Sequence, residues 1–81
     1  MIRLTFYTKP NCPLCDEARD LLEDLKTEFS LTIQEVNIFS SPALYEKYKY
    51  IIPVVAIDGG PTFPAWFSEA DLRRAFRQTK L

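Results

Sequence analysis

The chain has no histidine among its 81 residues. Because histidine is the usual general base, its absence argues against Ser-His and Cys-His hydrolase chemistry. It also limits zinc binding, since a tetrahedral site needs four ligands and the chain offers two thiolates and no imidazole. Carboxylates or a second subunit would have to complete such a site, so we expect no metal in the single chain.

Long apolar runs and an excess of either charge are also missing. No segment approaches the ~20 apolar residues that span a bilayer, and the first residues alternate too strongly for a signal peptide. Ten basic and eleven acidic side chains leave a net charge of −1, which offers phosphate backbones and anionic lipids no overall attraction. We therefore expect a cytoplasmic protein that binds neither nucleic acid nor membranes.

Glycine is scarce as well, since only Gly59 and Gly60 occur and they are adjacent. Little of the chain can therefore be linker or low-complexity sequence. A chain of this length forms one domain at most. We predict a single domain over residues 1–81, and we expect it to be a monomer.

Apolar periodicity divides the chain into seven elements. Alternation at Ile2, Leu4 and Phe6 predicts a strand, and an apolar stripe of helical period follows Pro13. The predicted strands cover residues 2–8, 31–38, 51–57 and 62–67, and the predicted helices cover 13–29, 42–49 and a last segment after Ser68. The first β-α-β unit implies a parallel pair, and the turn at 58–60 implies an antiparallel hairpin. The order β-α-β-α-β-β-α predicts an α/β fold, a four-stranded mixed sheet flanked by three helices.

Particular residues mark the ends of the predicted helices. Pro13 and Pro42 suit the first helical position, where a missing N–H costs nothing, and Ser41 is the predicted cap of the second helix. Ser68 and Asp71 resemble a capping box at the start of the third helix. Basic residues, which are favourable near a helix C terminus, cluster on the last helix at Arg73, Arg74, Arg77 and Lys80.

Both cysteines lie in the stretch T-K-P-N-C-P-L-C, where the first strand gives way to the first helix. A helix N terminus carries unpaired N–H groups and a partial positive charge, so we expect the pKa of Cys12 to lie below the free-thiol value of about 8.5. Cys12 is predicted at the cap and exposed, whereas Cys15 shares the core-facing stripe with Ala18 and Leu22. One accessible and one sheltered thiol suit a nucleophile and a resolving thiol.

Three other interpretations of the cysteine pair stay open. The two residues could be small buried side chains without chemistry. Pairs from two chains, or one pair with glutathione, could hold an iron–sulfur cluster or zinc, although Pro13 stiffens the loop and removes an N–H that could face sulfur. The same disulfide could also be the switch of a non-enzymatic redox sensor, because a sensor needs an exposed, low-pKa thiol too.

Two motifs resemble the glutaredoxin-like proteins of the thioredoxin superfamily over nearly the whole chain. They are C-P-L-C at the start of an amphipathic helix and I-P-V-V-A-I-D-G at residues 52–59. The resemblance implies a thioredoxin/glutaredoxin-like fold and a thiol–disulfide oxidoreductase that uses Cys12 and Cys15. It also implies a cis peptide before Pro53, so that Ile52 and Pro53 form a platform for an extended substrate segment. Lys9 would lie where a glutathione carboxylate binds.

Two departures from the family pattern bear on the substrate. Leu14 stands where the family usually carries tyrosine, and Trp66-Phe67-Ser68 stands where a Gly-Gly pair helps to hold glutathione. Trp66 and Phe67 would narrow the glutathione cleft or present an apolar surface to a protein substrate, and Trp66 could instead pack in the core. We expect no built-in cofactor, with disulfide-containing proteins or glutathione as partners and glutathione or a reductase as the source of electrons.

Overall fold

A computed structural model of the protein describes residues 1–78. Four strands and three helices follow one another in the predicted order. The strands are β1 (Ile2–Thr8), β2 (Leu31–Asn37), β3 (Val54–Ile57) and β4 (Thr62–Phe63), and the helices are α1 (Pro13–Leu25), α2 (Pro42–Tyr48) and α3 (Glu69–Gln78). A short 3-10 turn at Ile38–Ser40 links β2 to α2. Lys80, predicted to extend the basic cluster of the last helix, lies outside the described residues.

The sheet has the strand order β2-β1-β3-β4. β1 runs parallel to β2, with Thr8 opposite Asn37, and antiparallel to β3, with Tyr7 opposite Val54. β3 and β4 form the antiparallel hairpin. The mixed sheet is therefore confirmed, and its register places the end of β1 beside the residue that precedes β3.

The core is built from the apolar positions that the periodicity singled out. Alternate side chains of β1 and one stripe of α1 are buried, and α3 adds a third set. Each buried Leu, Ile or Phe side chain among them stabilises the fold by about 1.5–3 kcal/mol relative to an exposed one. These core residues are Ile2, Leu4, Phe6, Ala18, Leu22, Leu25, Leu72, Ala75 and Phe76. No helix in the described part of the chain has the length and apolar character to cross a membrane.

The first helix ends earlier than predicted, at Leu25 rather than at Phe29. The N–H of Thr27 donates to the carbonyl oxygen of Asp24 at 3.1 Å, and its hydroxyl donates to the same oxygen at 2.7 Å. This i to i+3 pattern tightens the last turn and ends the regular helix. Phe29 still reaches the core, where its ring contacts that of Phe76 at 5.4 Å between centroids.

The third and fourth strands are shorter than predicted because backbone groups near their ends bond elsewhere. The N–H groups of Ile51 and Ile52 both donate to the carbonyl oxygen of Tyr48, at 2.9 and 3.2 Å, and close the end of α2 instead of joining the sheet. β4 ends at Phe63, since Pro64 has no N–H to continue the ladder. The predicted strands at 51–57 and 62–67 were therefore too long.

Of the caps predicted for α2 and α3, the cap of α3 is confirmed and the cap of α2 is wrong. At α3 the Ser68 N–H donates to Asp71 Oδ2 at 2.9 Å, and the Asp71 N–H donates to Ser68 Oγ at 3.1 Å, which confirms the capping box. At α2 the Ser41 side chain makes no capping hydrogen bond. Asn37 caps the preceding 3-10 turn instead, since its side-chain oxygen accepts the Phe39 N–H at 2.8 Å.

An arginine on α1 holds the edge strand β2. Arg19 donates from Nε and Nη2 to the two carboxylate oxygens of Glu35, each at 2.9 Å, and these hydrogen bonds lower the pKa of Glu35. A carboxyl whose pKa folding lowers adds stability above its unfolded pKa and loses it as the pH falls.

We therefore expect Glu35→Gln to lower the free energy of unfolding at pH 7, by less than ~1 kcal/mol for a pair this exposed. The difference from wild type should shrink as the pH falls below the ordinary carboxyl pKa of 4.5. Urea titrations of both proteins at pH 7 and at pH 3 measure this. If the difference in the free energy of unfolding between the two proteins is the same at pH 7 and at pH 3, the ion pair between Arg19 and Glu35 is not its source.

Candidate redox site

Cys12 is the N-terminal cap of α1. Its backbone is extended, with φ −121° and ψ 99°, and its Sγ accepts the N–H of Cys15 at 3.2 Å. Its carbonyl oxygen accepts the N–H of Asp16 at 3.1 Å, and Pro13 occupies the first turn. The predicted cap position of Cys12 is confirmed, and the sulfur itself is the capping atom.

The two cysteines differ in burial and are joined as a disulfide. Cys15 is 0% exposed and belongs to the core cluster, whereas Cys12 is half-buried and packs against that cluster. Their Cα atoms are 5.2 Å apart. Cys12 is thus the more accessible sulfur, as predicted, although its side chain is less exposed than the prediction had it.

The loop that leads from β1 to Cys12 lies at the surface. Lys9, Pro10 and Asn11 are all exposed. Asn11 has a φ of 58°, a left-handed conformation that asparagine adopts more readily than most residues. Within residues 1–78 Lys9 takes part in no ion pair, so its positive charge faces solvent on this loop. Its predicted contact with a glutathione carboxylate stays a prediction.

The segment opposite the loop contains Pro53. The peptide between Ile52 and Pro53 is cis, as the resemblance implied, and the Pro53 side chain is fully buried. Because Val54 pairs with Tyr7, Pro53 lies beside Thr8 at the end of β1 from which the cysteine loop departs. The fold therefore brings the predicted site residues Pro53, Ile52 and Cys12 to one end of the sheet.

The backbone of Ile52 can offer an incoming substrate strand one hydrogen bond and not two. Its N–H already donates to the Tyr48 carbonyl oxygen at 3.2 Å. Its carbonyl oxygen accepts no hydrogen bond from any residue between 1 and 78. The Ile52 carbonyl oxygen can therefore accept a hydrogen bond from a substrate segment, whereas the Ile52 N–H is already bonded within the chain.

A cleft of about 170 Å³ lies beside the cysteine pair. One wall is α1, and the other is formed by Pro53 and the segment that follows β4. Its lining consists of Leu14, Glu17, Ala18, Leu21, Pro53, Ala65 and Phe67. Sequence reasoning had singled out Leu14, Pro53 and Phe67, but it missed the other four residues because nothing local distinguishes them.

Trp66 and Phe67 have different environments. Trp66 is 74% exposed and is absent from the cleft lining, so it neither narrows the cleft nor follows the alternative of packing in the core. Its role as an apolar surface for a protein substrate stays a prediction. Phe67 is half-buried and forms part of the cleft wall. The Ala65 N–H donates to the Ile51 carbonyl oxygen at 2.8 Å, which fixes this wall against the segment that precedes Pro53.

Metal ligands do not gather around the cysteine pair. Within residues 1–78 no three Cys, His, Asp or Glu side chains are close enough to hold a metal ion. The nearest acidic side chain in sequence, Asp16, pairs with Arg19 at 2.8 Å. A metal bound by Cys12 and Cys15 would need its other ligands from a second chain or from a small thiol.

Comparisons with known proteins agree with this arrangement. Residues 3–77 match the family described as Glutaredoxin-like domain (DUF836). The curated Glutaredoxin-like protein YDR286C homolog of Dictyostelium discoideum is 33% identical over 64 residues, which cover 70% of this chain and 58% of that protein. The chain thus matches little more than half of that relative's length.

Two solved structures share the thioredoxin-like fold. The X-ray structure of target protein XcR50 from X. campestris has a TM-score of 0.80 and 26% identity, covering 95% of this chain and 99% of that chain. The solution structure of Ne2328 from Nitrosomonas europaea has a TM-score of 0.79, covers 93% and 91% of the two chains, and at 19% identity supports the fold alone. With residues 3–77 inside the family match and a Cys12–Cys15 pair at the helix cap, the chain belongs to the glutaredoxin-like family, which supports a thiol redox function.

Proposed function

We propose that the protein is a thiol–disulfide oxidoreductase in which Cys12 attacks and Cys15 resolves. The observation that carries this proposal is the capping contact, in which Cys12 Sγ accepts the Cys15 N–H at 3.2 Å at the start of α1. A hydrogen bond to an ionised sulfur is stronger than one to a neutral sulfur, and the helix N terminus favours negative charge. The same geometry therefore favours the thiolate, which is the nucleophilic form.

The burial of the two sulfur atoms gives the order of the steps. In the reduced protein the Cys12 thiolate attacks one sulfur of a substrate disulfide, which forms a mixed disulfide and releases the other half as a thiolate. The buried Cys15 loses its proton and attacks Cys12 Sγ, so the second substrate half leaves as a thiolate. Two electrons have then passed from the protein to the substrate, and the Cys12–Cys15 disulfide remains.

Regeneration of the Cys12 thiolate and the Cys15 thiol needs two electrons from a reducing partner and one proton, which replaces the proton that Cys15 lost to a released substrate thiolate or to solvent. We propose glutathione or a dithiol reductase for this step, and disulfide-containing proteins or glutathione as the oxidised partners. Lys9 would attract an anionic partner to the exposed loop, and the Ile52 carbonyl with Pro53 would align its backbone. A monomer in the cytoplasm that takes part in electron transfer and redox homeostasis is consistent with this proposal.

A redox titration tests the proposed function. The protein is equilibrated in graded mixtures of reduced and oxidised glutathione, quenched with acid, and analysed by intact mass, with Cys15→Ser as the matched control that cannot form the internal disulfide. We expect a Cys12–Cys15 disulfide whose midpoint lies between those of glutaredoxins, about −200 to −230 mV, and thioredoxin, about −270 mV.

The control variant should instead collect a glutathione adduct on Cys12. Absence of the internal disulfide at every ratio would overturn the dithiol mechanism. Iron or zinc bound to the purified protein would in that case favour the metal-binding interpretation of the cysteine pair.

A further inference from the structure

The cleft extends along α1 from Leu14, and neither cysteine belongs to its lining within the described residues. Leu14 lies between the two cysteines in sequence, and Ala18 and Leu21 follow at helical spacing on the same side of the helix. Seven residues of α-helix from Leu14 to Leu21 correspond to about 10 Å. A polypeptide that is joined to Cys12 through a mixed disulfide can therefore place the next two or three residues along this cleft.

Most of the cleft surface is apolar. Leu14 is 58% exposed, although it is a large aliphatic side chain beside the reactive pair. Leu21, Ala65 and Phe67 continue the apolar lining on both walls. These side chains can pack against an apolar residue of a bound polypeptide, and Leu14 directly precedes Cys15 in the sequence.

One charged side chain lines the cleft, and it is acidic. Glu17 belongs to the lining, and within residues 1–78 it takes part in no ion pair. The neighbouring Asp16, by contrast, is paired with Arg19 at 2.8 Å. Glu17 therefore leaves an unpaired negative charge at the cleft, which favours a cationic side chain of a bound molecule.

Glutathione carries two carboxylates and one ammonium group at neutral pH, so its net charge is negative. No lysine or arginine lines the cleft within the described residues. Two backbone donors at this wall are also occupied, because the Phe67 N–H bonds to the Pro64 carbonyl oxygen at 3.0 Å and the Ser68 N–H to Asp71 Oδ2 at 2.9 Å. A glutathione carboxylate in the cleft would meet Glu17 and find these donors taken.

We propose that the cleft selects polypeptide disulfides in which a large apolar residue adjoins the attacked cysteine and a lysine or arginine follows. The apolar side chain packs between Leu14, Leu21 and Phe67, and the cation pairs with Glu17. This inference rests on the proposed oxidoreductase function and assigns the substrate class of the same site. The reaction is the two-electron exchange described above, with a dithiol as the regenerating reductant.

The test uses mixed disulfides that share one leaving group. The reduced protein reacts with 2-pyridyl disulfides of glutathione, of N-acetylcysteamine, and of the peptides acetyl-Cys-Leu-Lys-amide, acetyl-Cys-Leu-Glu-amide and acetyl-Cys-Ser-Lys-amide. The rate of 2-thiopyridone release gives the second-order rate constant for each compound. Each value is divided by that of the small neutral N-acetylcysteamine derivative for the same protein variant, so that differences in thiol reactivity cancel.

After division by the value for the N-acetylcysteamine derivative, we expect the rate constant of the Leu-Lys peptide to exceed that of the glutathione derivative by about 10-fold or more. Glu17→Lys should reverse the preference for the Leu-Lys over the Leu-Glu peptide, and Phe67→Ser should reduce the preference for Leu-Lys over Ser-Lys. The matched control is Glu23→Lys, which makes the same charge change on α1 outside the cleft lining and should leave both peptide ratios as in the wild type.

The outcomes separate the two proposals. If the N-acetylcysteamine derivative does not react, the oxidoreductase function fails, and the specificity proposal fails with it. If that derivative reacts while the peptides and glutathione react alike, only the specificity proposal is overturned. If Glu17→Lys and Glu23→Lys change the ratio of the Leu-Lys to the Leu-Glu rate equally, the specificity proposal is also overturned, because the change would then not depend on a charge in the cleft.

Discussion

Cys12→Ser should abolish disulfide cleavage, with a fall in rate of ~10³-fold or more. The reason is that a serine hydroxyl stays protonated at neutral pH, whereas the thiolate is the attacking species. Cys15→Ser should retain the first step, since Cys12 keeps its place at the helix cap. It should stop at the mixed disulfide, because the resolving thiol is gone.

Both parts of this expectation are measured with the N-acetylcysteamine pyridyl disulfide. The release of 2-thiopyridone reports the first step, and intact mass reports whether the acetylcysteamine half stays on the protein. The Cys15→Ser protein should carry one such adduct, and the Cys12→Ser protein none. If Cys12→Ser reacts and Cys15→Ser does not, the assigned roles of the two thiols are reversed and the proposed order of steps is wrong.

A polar oxygen at position 15 is itself a disturbance, because Cys15 is completely buried. Cys15→Ala is the matched control for this effect, since it removes the thiol without burying a hydroxyl group. Both variants should give the same trapped adduct on Cys12. A trapped adduct in Cys15→Ala but not in Cys15→Ser would point to misfolding of the serine variant, and it would leave the assigned mechanism in place.

Phe6→Ala should cause the largest loss of stability, about 3–5 kcal/mol. The Phe6 side chain is 1% exposed, and its backbone is paired with strands on both sides, opposite Glu35 and Val55. Removing the ring leaves a cavity in a core that cannot close without moving the central strand. The free energy of unfolding of a domain of this size is about 5–15 kcal/mol in total, so Phe6→Ala would remove much of it.

Thermal and urea unfolding of the oxidised protein measure this effect, and the midpoint temperature should fall on the order of 10–30 °C. Tyr50→Ala is the matched control, because it also removes an aromatic ring but from a side chain that is 87% exposed. It should cost less than about 1 kcal/mol, including the contact of the ring with Lys49 at 5.2 Å. Similar losses in the two variants would contradict the central place of Phe6 in the core.

Sequence reasoning was most accurate where an interaction spans three or four residues. Cys12 and Cys15 cap their own helix, and Ser68 and Asp71 form the predicted capping box. Ser41 shows the limit of such reasoning, because a residue type that suits a cap makes no capping bond there. Four residues earlier, Asn37 caps a 3-10 helix, and the apolar periodicity of the sequence does not predict this helix.

Strand ends were less accurate because they depend on bonds between distant segments. Ile51 and Ile52 look like the start of a buried strand, yet their N–H groups close the preceding helix at Tyr48. The short β4 follows from Pro64, which has no N–H for the ladder, and from the bond between Ala65 and Ile51, which the sequence pattern does not reveal. That second bond forms only when the hairpin has folded back against the end of α2.

The amino-acid sequence was enough to predict the order of the elements, the mixed sheet, and the position of a thiol pair at a helix N terminus. These features follow from periodicity and from contacts within one turn of the chain. The set of side chains that line the cleft follows from packing, since Glu17 and Leu21 share the cleft with Phe67, which is distant from them in the sequence. The same packing left Trp66 in solvent, because burial depends on what the rest of the chain places above a residue.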